Sequence, residues 1–282
     1  MMNLVPRDSF AAANVLRQLL WQISAVVGPA FAGLLLARFG VTTVYWVDVV
    51  SFAAAIAASL SLPALLPEGR GTRFGLRSIV EGFRYLRGRQ AIQGCMLADL
   101  NAMVLGMPTA LFPAVALSHF HGGAQVLGYL YAAPGAGAAV GMLLSGWTAR
   151  VSRLGRAVII AIAVWGLAIA AFGLSPWLWL ALLMLAVAGW ADVISAVFRS
   201  TLLQVDAPDR LRGRLSAIQV AVVQGGPQLG NVEAGVVAAL VGVQASIVLG
   251  GLGCVVGIAV LARFMPRFAA YGLGAGHPDR AS

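Results

Sequence analysis

Polar side chains are scarce in the apolar runs of this 282-residue chain, and those few are the residues able to do chemistry. Asp99 and Asn101 share one run. Gln18 and Gln22 stand one helical turn apart in another. Gln224, Gln228 and Asn231 recur at i, i+4 and i+7, with Glu233 beyond them and Pro227 blurring the phase. A carboxylate inside lipid is costly and, where kept, faces a cavity or a partner. Asp99 therefore reads as a group that takes and releases a proton along a polar pathway. The glutamines and Asn231 read equally as pathway contacts or as interhelical hydrogen bonds, worth about 0.6 kcal/mol each. Asp192 lies in a further run. Asp48, beside Tyr45 and Trp46, reads as a boundary residue. Arg17 can snorkel to the surface.

Other chemistries find little to work with. His119-Phe-His121 offers two ligands without a third, so a solvated loop is the reading and no metal site is expected. The chain has no Walker lysine, no G-x-S-x-G elbow and no H-E-x-x-H, and no nucleophile and base stand together. No enzyme and no cofactor are expected. Cys95 and Cys254 fall singly in apolar runs and read as small packing residues. Gly137-x-x-x-Gly141 reads as a helix-packing pair, because no strand precedes it as a nucleotide loop would require.

The elements that must position these groups follow from composition. The chain is 60% hydrophobic and 10% charged, with a mean hydropathy of +0.88. A soluble domain carries about a quarter charged residues. The fold class expected is all-α, a polytopic membrane protein, and the lack of strand-like alternation argues against a barrel. Eight transmembrane helices can be drawn: Val15–Leu36, Val44–Leu62, Ile92–Leu117, Leu127–Thr148, Ala157–Leu174, Trp177–Phe198, Ala217–Val243 and Ala245–Phe264. No cleavable signal peptide is expected.

All 19 basic residues are arginine, and their placement matters more than the net charge of +9. Most lie before the first span, after the last, or in the second, fourth and sixth connections, where Arg199 is counted; the opposite loops carry Arg38 alone. The positive-inside rule then places both termini in the cytoplasm of a bacterial-type inner membrane and makes a nucleic-acid partner unnecessary. Tyr45, Trp46, Tyr129, Tyr131, Trp177 and Trp179 gather at the outer ends as an aromatic belt. Between spans two and three, Leu76, Ile79, Val80, Phe83 and Leu86 share one helical face and Arg77, Glu81, Arg84 and Arg87 another, the pattern of an interfacial helix. The chain thus divides into residues 1–66, a linker over 67–90, and residues 91–282.

Ser24 to Gly33, S-A-V-V-G-P-A-F-A-G, places small residues at Ser24, Gly28, Ala32 and Gly33 on a face suited to close helix packing, with Pro29 expected to bend the rod. A faint repeat relates Val5–Asn14 to Ala207–Ser216, 202 residues later; each leads into a long span interrupted by Gly-Pro, at Gly28-Pro29 and Gly226-Pro227. Parallel six-span repeats are a transporter architecture.

Three stretches resemble the major facilitator superfamily, in its drug:proton antiporter branch related to siderophore exporters. Ser24–Gly33 resembles the antiporter motif G-x-x-x-G-P-x-x-G-G of the fifth family helix, with Ser24 and Ala32 replacing glycines beside Gly28, Pro29 and Gly33. Gly146-Trp-Thr-Ala-Arg150-Val-Ser-Arg153-Leu-Gly155-Arg156 resembles the cytoplasmic loop motif G-x-x-x-D-R-x-G-R, with Arg150 in the aspartate's place, so that aspartate's charge-relay role does not carry over. Pro208-Asp-Arg-Leu-Arg-Gly-Arg214 with Gly226-Pro-Gln-Leu-Gly-Asn-Val-Glu233 resembles the tenth-to-eleventh helix region.

The resemblance implies a partial major-facilitator fold. Residues 1–66 would be family helices five and six, a remnant of the N-terminal half, and residues 91–282 the complete C-terminal six-helix half. It implies efflux of small drug- or siderophore-like molecules in exchange for protons, without family helices one to four. The chain alone is then expected not to transport. The alternative is a non-transporting membrane protein that oligomerises. The partners implied are the lipid bilayer, a small-molecule substrate with protons, and a second copy or the missing N-terminal half.

Overall fold

The computed structural model describes residues 10–61, 89–206 and 209–272, which are helical with short connections; no strand occurs among the described residues. The helices are α1 (Phe10–Leu60), α2 (Gln90–Leu105), α3 (Ala124–Leu143), α4 (Leu154–Gly173), α5 (Leu178–Asp206), α6 (Asp209–Val241), α7 (Val243–Phe264) and the short α8 (Pro266–Ala269). The linker over 67–90 lies outside the described residues up to residue 88, as do Val5 to Ser9 and Ala207–Pro208 of the two repeat copies.

Six stretches are long and apolar enough to cross a membrane: Arg38–Leu60, Gln90–His119, Ala124–Leu143, Leu154–Gly173, Leu178–Leu203 and Val243–Phe264. The other two spans drawn from the sequence, Val15–Leu36 and Ala217–Val243, are helical inside α1 and α6, the latter closing at Val241. Large apolar side chains such as Leu143, Trp179, Leu240 and Phe264 lie exposed on the bundle's outside. Water would not tolerate such a surface, and hydrocarbon does. The aromatic-belt residues Tyr45, Trp46, Trp177 and Trp179 are among those most exposed.

The sequence placed outer turns between spans one and two and between seven and eight. The structure gives both the same solution. Gly40 has φ 75 and ψ 175, and Gly242 has φ 91 and ψ 159. Both conformations are open to glycine and strained for other residues. Gly242 stands 202 residues after Gly40, the offset of the faint repeat.

One expectation for the first span needs correction. Helix α1 runs unbroken through Pro29, and its departure from helical φ/ψ is at Gly40. Ser24 and Gly28 are exposed rather than packed, and a Cβ on Gly28 would meet nothing within 4 Å. A small face gains by close packing only when a second helix presses on it, and among the described residues none does so at Gly28.

Elsewhere glycine does set the helix spacing. Helices α3 and α5 cross closely. A Cβ on Gly137 would strike the Ala186 carbonyl, one on Gly189 would strike the Pro134 carbonyl, and Gly141 lies against Trp190. The Gly137/Gly141 pair is thus a packing device, as its spacing suggested. Helix α4 lies between α5 and α7, with Gly166 and Gly251 back to back. Helix α2 packs on α6 and α7, and α1 runs along α3.

At the arginine-rich end α8 tucks under the bundle. Phe268 is fully buried against Gly94 of α2, and its carbonyl abuts Gly155 of the loop motif. The Gly155 N–H donates to the Tyr271 carbonyl at 3.1 Å. Gly155→Val must therefore push α8 away. The expected cost is about 1–3 kcal/mol of overpacking, read as a melting temperature roughly 5 °C lower in detergent.

Candidate functional site

Helices α2 and α5 each turn a charge into the packed interior. Asp99 is 2% exposed and Arg199 is 4% exposed. Nη1 of Arg199 lies 2.6 Å from Oδ1 of Asp99, and Nη2 lies 3.8 Å from Oδ1 of Asp192, about two turns earlier on the same face of α5. The Cys95 thiol, one turn before Asp99, points to the Arg199 carbonyl at 4.0 Å. Burying charge is tolerable only when it is paired. Here one guanidinium faces two carboxylates, so the cluster carries one negative charge more than it neutralises, and one proton would balance it.

The cluster keeps hydrogen-bonding capacity in hand. Among the described residues, Nε and Nη1 of Arg199, Oδ1 of Asp99 and Oγ of Ser195 are buried without an aligned hydrogen-bond partner. The close Arg199–Asp99 approach is thus an ion pair with poor hydrogen-bond alignment. Such a pair holds by charge and loosens when the charge is cancelled.

The remaining sequence candidates scatter. Asn101 turns toward α7, where its Nδ2 donates to the Cys254 carbonyl at 2.9 Å and approaches the Cys254 sulfur at 3.6 Å. Asn231 of α6 accepts twice at Oδ1, from the Thr109 hydroxyl at 2.8 Å and the Ala110 N–H at 3.0 Å. It fastens α6 to the 3-10 turn Thr109–Leu111 that follows α2. Gln224 and Gln228 are exposed and Glu233 is half-buried on α6. Gln18, Gln22, Pro29 and Gly33 lie in α1 with their side chains outside the described ones. In the loop motif Arg150, Arg153 and Arg156 are exposed, and Gly146 has open space around it.

Arg199 is the residue that sequence reasoning misplaced. Its charge put it in the connection between spans six and seven, whereas α5 continues to Asp206 and buries it. The signal was present as Asp192-x-x-Ser195-x-x-x-Arg199, the i, i+3, i+7 spacing of one helix face.

At the opposite end His121 is exposed as a solvated loop residue would be, whereas His119 is half-buried and bonded. Nε2 of His119 contacts the Ser175 carbonyl at 2.8 Å, and Nδ1 lies 2.7 Å from Nε2 of Gln244. A carbonyl only accepts, so Nε2 is the ring nitrogen placed to donate to Ser175. His121 sits beside it at φ 49. Among the described residues no three His, Cys, Asp or Glu side chains gather as a metal site.

Comparison with known proteins agrees with a membrane protein of the transporter class. Residues 1–273 match the family described as transmembrane secretion effectors. The chain is 32% identical over 253 residues to an enterobactin exporter, EntS, of Citrobacter koseri, covering 90% of this chain and 61% of that protein. It is 31% identical over 259 residues to the enterobactin exporters of Shigella boydii serotype 18 and Escherichia coli O81, covering 92% of this chain and 62% of each. The chain thus spans about three-fifths of the length of these curated relatives.

Proposed function

The chain belongs to the transmembrane secretion effectors of the major facilitator superfamily, and on that footing we propose that it serves outward transport of small amphiphilic molecules, siderophore- or drug-like, in exchange for protons. The observation that carries this reading is the buried Arg199 shared by Asp99 and Asp192. With both carboxylates charged, Arg199 clamps α5 to α2. A proton on Asp99 cancels that attraction and lets the two helices part at the arginine-rich end. Helices that rock apart at one end and close at the other give alternating access. No covalent bond is made or broken, and the role is not enzymatic.

The relatives are enterobactin exporters, so enterobactin is the first substrate to test, with ethidium as an amphiphilic cation for comparison. Inside-out vesicles holding this chain alone are expected to concentrate neither compound under an imposed pH gradient. Joined to the part of the Citrobacter koseri relative that it does not cover, the chain is expected to drive uptake, and Asp99→Asn to reduce it at least tenfold. Uptake by the chain alone would overturn the need for further helices. Undiminished uptake by Asp99→Asn would overturn the proton role.

One feature favours a second reading, a non-transporting membrane protein completed by a partner. No residue of Arg38–Leu60 is buried, and Tyr45, Trp46, Phe52 and Ile56 stand free along it. Capture of a second copy through this helix, by cross-linking in native membranes, would support that reading over transport.

A further inference from the structure

The first half of α4 and the last half of α5 leave an apolar groove of about 410 Å³ on the outside of the bundle. Ile160, Val164, Trp190, Ile194 and Phe198 line it, and Trp147 closes one end with its ring edge-on to Phe198 at 6.0 Å. Ile160 is 62% exposed and Trp147 is 44% exposed, so the groove is reached from the hydrocarbon side. Its charged end is one-sided. Arg153 and Arg156 line it, both exposed, and no acidic residue does. Neither arginine pairs with a carboxylate among the described residues.

The two arginines stand three apart at the start of α4, on one helix face, where the helix dipole also favours an anion. A soluble anion would account for the arginines and leave the apolar groove unexplained. A zwitterionic lipid would account for the groove and leave the paired positive charge unbalanced. The occupant that matches both has an anionic head and a hydrocarbon tail and arrives within the leaflet. Basic pockets between membrane helices do bind such headgroups.

We propose that this groove seats one acyl chain of an anionic phospholipid, with its phosphate held by Arg153 and Arg156. The inference rests on the chain's place in the bilayer and is independent of transport. Bound there, the lipid bridges α4 and α5, the helix that carries Arg199.

Native mass spectrometry of the delipidated full chain tests this, with phosphatidylglycerol and phosphatidylcholine of identical acyl chains as probes. Phosphatidylglycerol is expected to be retained as a single adduct at about tenfold lower concentration than phosphatidylcholine. Arg153→Gln/Arg156→Gln should bring the two curves together, whereas Arg153→Lys/Arg156→Lys should keep most of the preference. Arg263→Gln, a basic residue away from the groove, should leave it unchanged. Ile160→Trp, which fills the groove from its exposed lip, should weaken retention with both arginines in place. Glycerol 3-phosphate should not displace the lipid. Coincident curves in the unaltered chain, or a preference that survives Arg153→Gln/Arg156→Gln, would overturn the proposal. So would displacement by glycerol 3-phosphate, which would point to a free phosphate site.

Discussion

Arg199→Leu is expected to be the most damaging single substitution in the bundle, at about 3–5 kcal/mol, the cost of breaking a buried ion pair from one side. The side chain it removes is 4% exposed and is the cation that Asp99 and Asp192 share. Without it two carboxylates face each other across α2 and α5 with no counter-charge. Leucine fills much of the volume, so the loss is electrostatic rather than steric. Adding Asp99→Asn should restore most of the loss, because an amide needs no cation. The check is the fraction of each variant that survives a heating series as a monodisperse detergent-solubilised species. Equal survival of Arg199→Leu and the parent chain would show that the pair contributes nothing to cohesion, and the site reading would lose its basis.

The second large effect lies at the α3–α5 crossing. Gly189→Val and Gly137→Val each place a side chain where a backbone carbonyl already stands, Pro134's in one case and Ala186's in the other. Neither carbonyl can swing aside without a whole helix moving, so each substitution should cost at least the ~3 kcal/mol upper end of ordinary overpacking. The two contacts form one seam, so the double variant should be less damaging than the sum of the singles, the first having already opened the gap. Gly28→Ala is the matched control. Open space surrounds its Cβ position, and alanine favours a helix by about 0.5–1 kcal/mol over glycine. Thermal unfolding of the four proteins should therefore place Gly28→Ala at or slightly above the parent and the other three well below it.

Much of the architecture was legible before any coordinates. Apolar length is a strong signal because lipid leaves the backbone few choices. The spans ending near Leu174 and Phe264 match α4 and α7 closely. The faint 202-residue repeat, drawn from Pro6 and Pro208, also predicts where glycine turns the chain, since Gly40 and Gly242 keep the offset. Partners were harder to read. Asp99 stood out as costly, yet its cation was set aside because positive charge was read as marking loops. That rule describes averages over connections, and it gives way when a carboxylate lies one helix away. The small-residue face at Ser24 and Gly28 failed for the converse reason: a face shows what a helix can pack against, while the neighbour is supplied by the rest of the fold. Asn101 and Asn231 both stand in apolar runs and differ in their attachments, Asn101 to the Cys254 carbonyl and Asn231 to the backbone and hydroxyl after α2.

The tail helix fixes the kinematics of the arginine-rich end. Phe268 wedges against the first turns of both α2 and α4 and hangs directly from α7, so those three rods share one rigid foot. Helix α5 stands outside that foot, packed broadly on α3 and α4 and tied to α2 by the Asp99–Arg199 link. One fastener is greasy and indifferent to acidity, and the other is electrical. On the proposed reading, a proton at Asp99 loosens the electrical fastener and leaves the apolar foot in place.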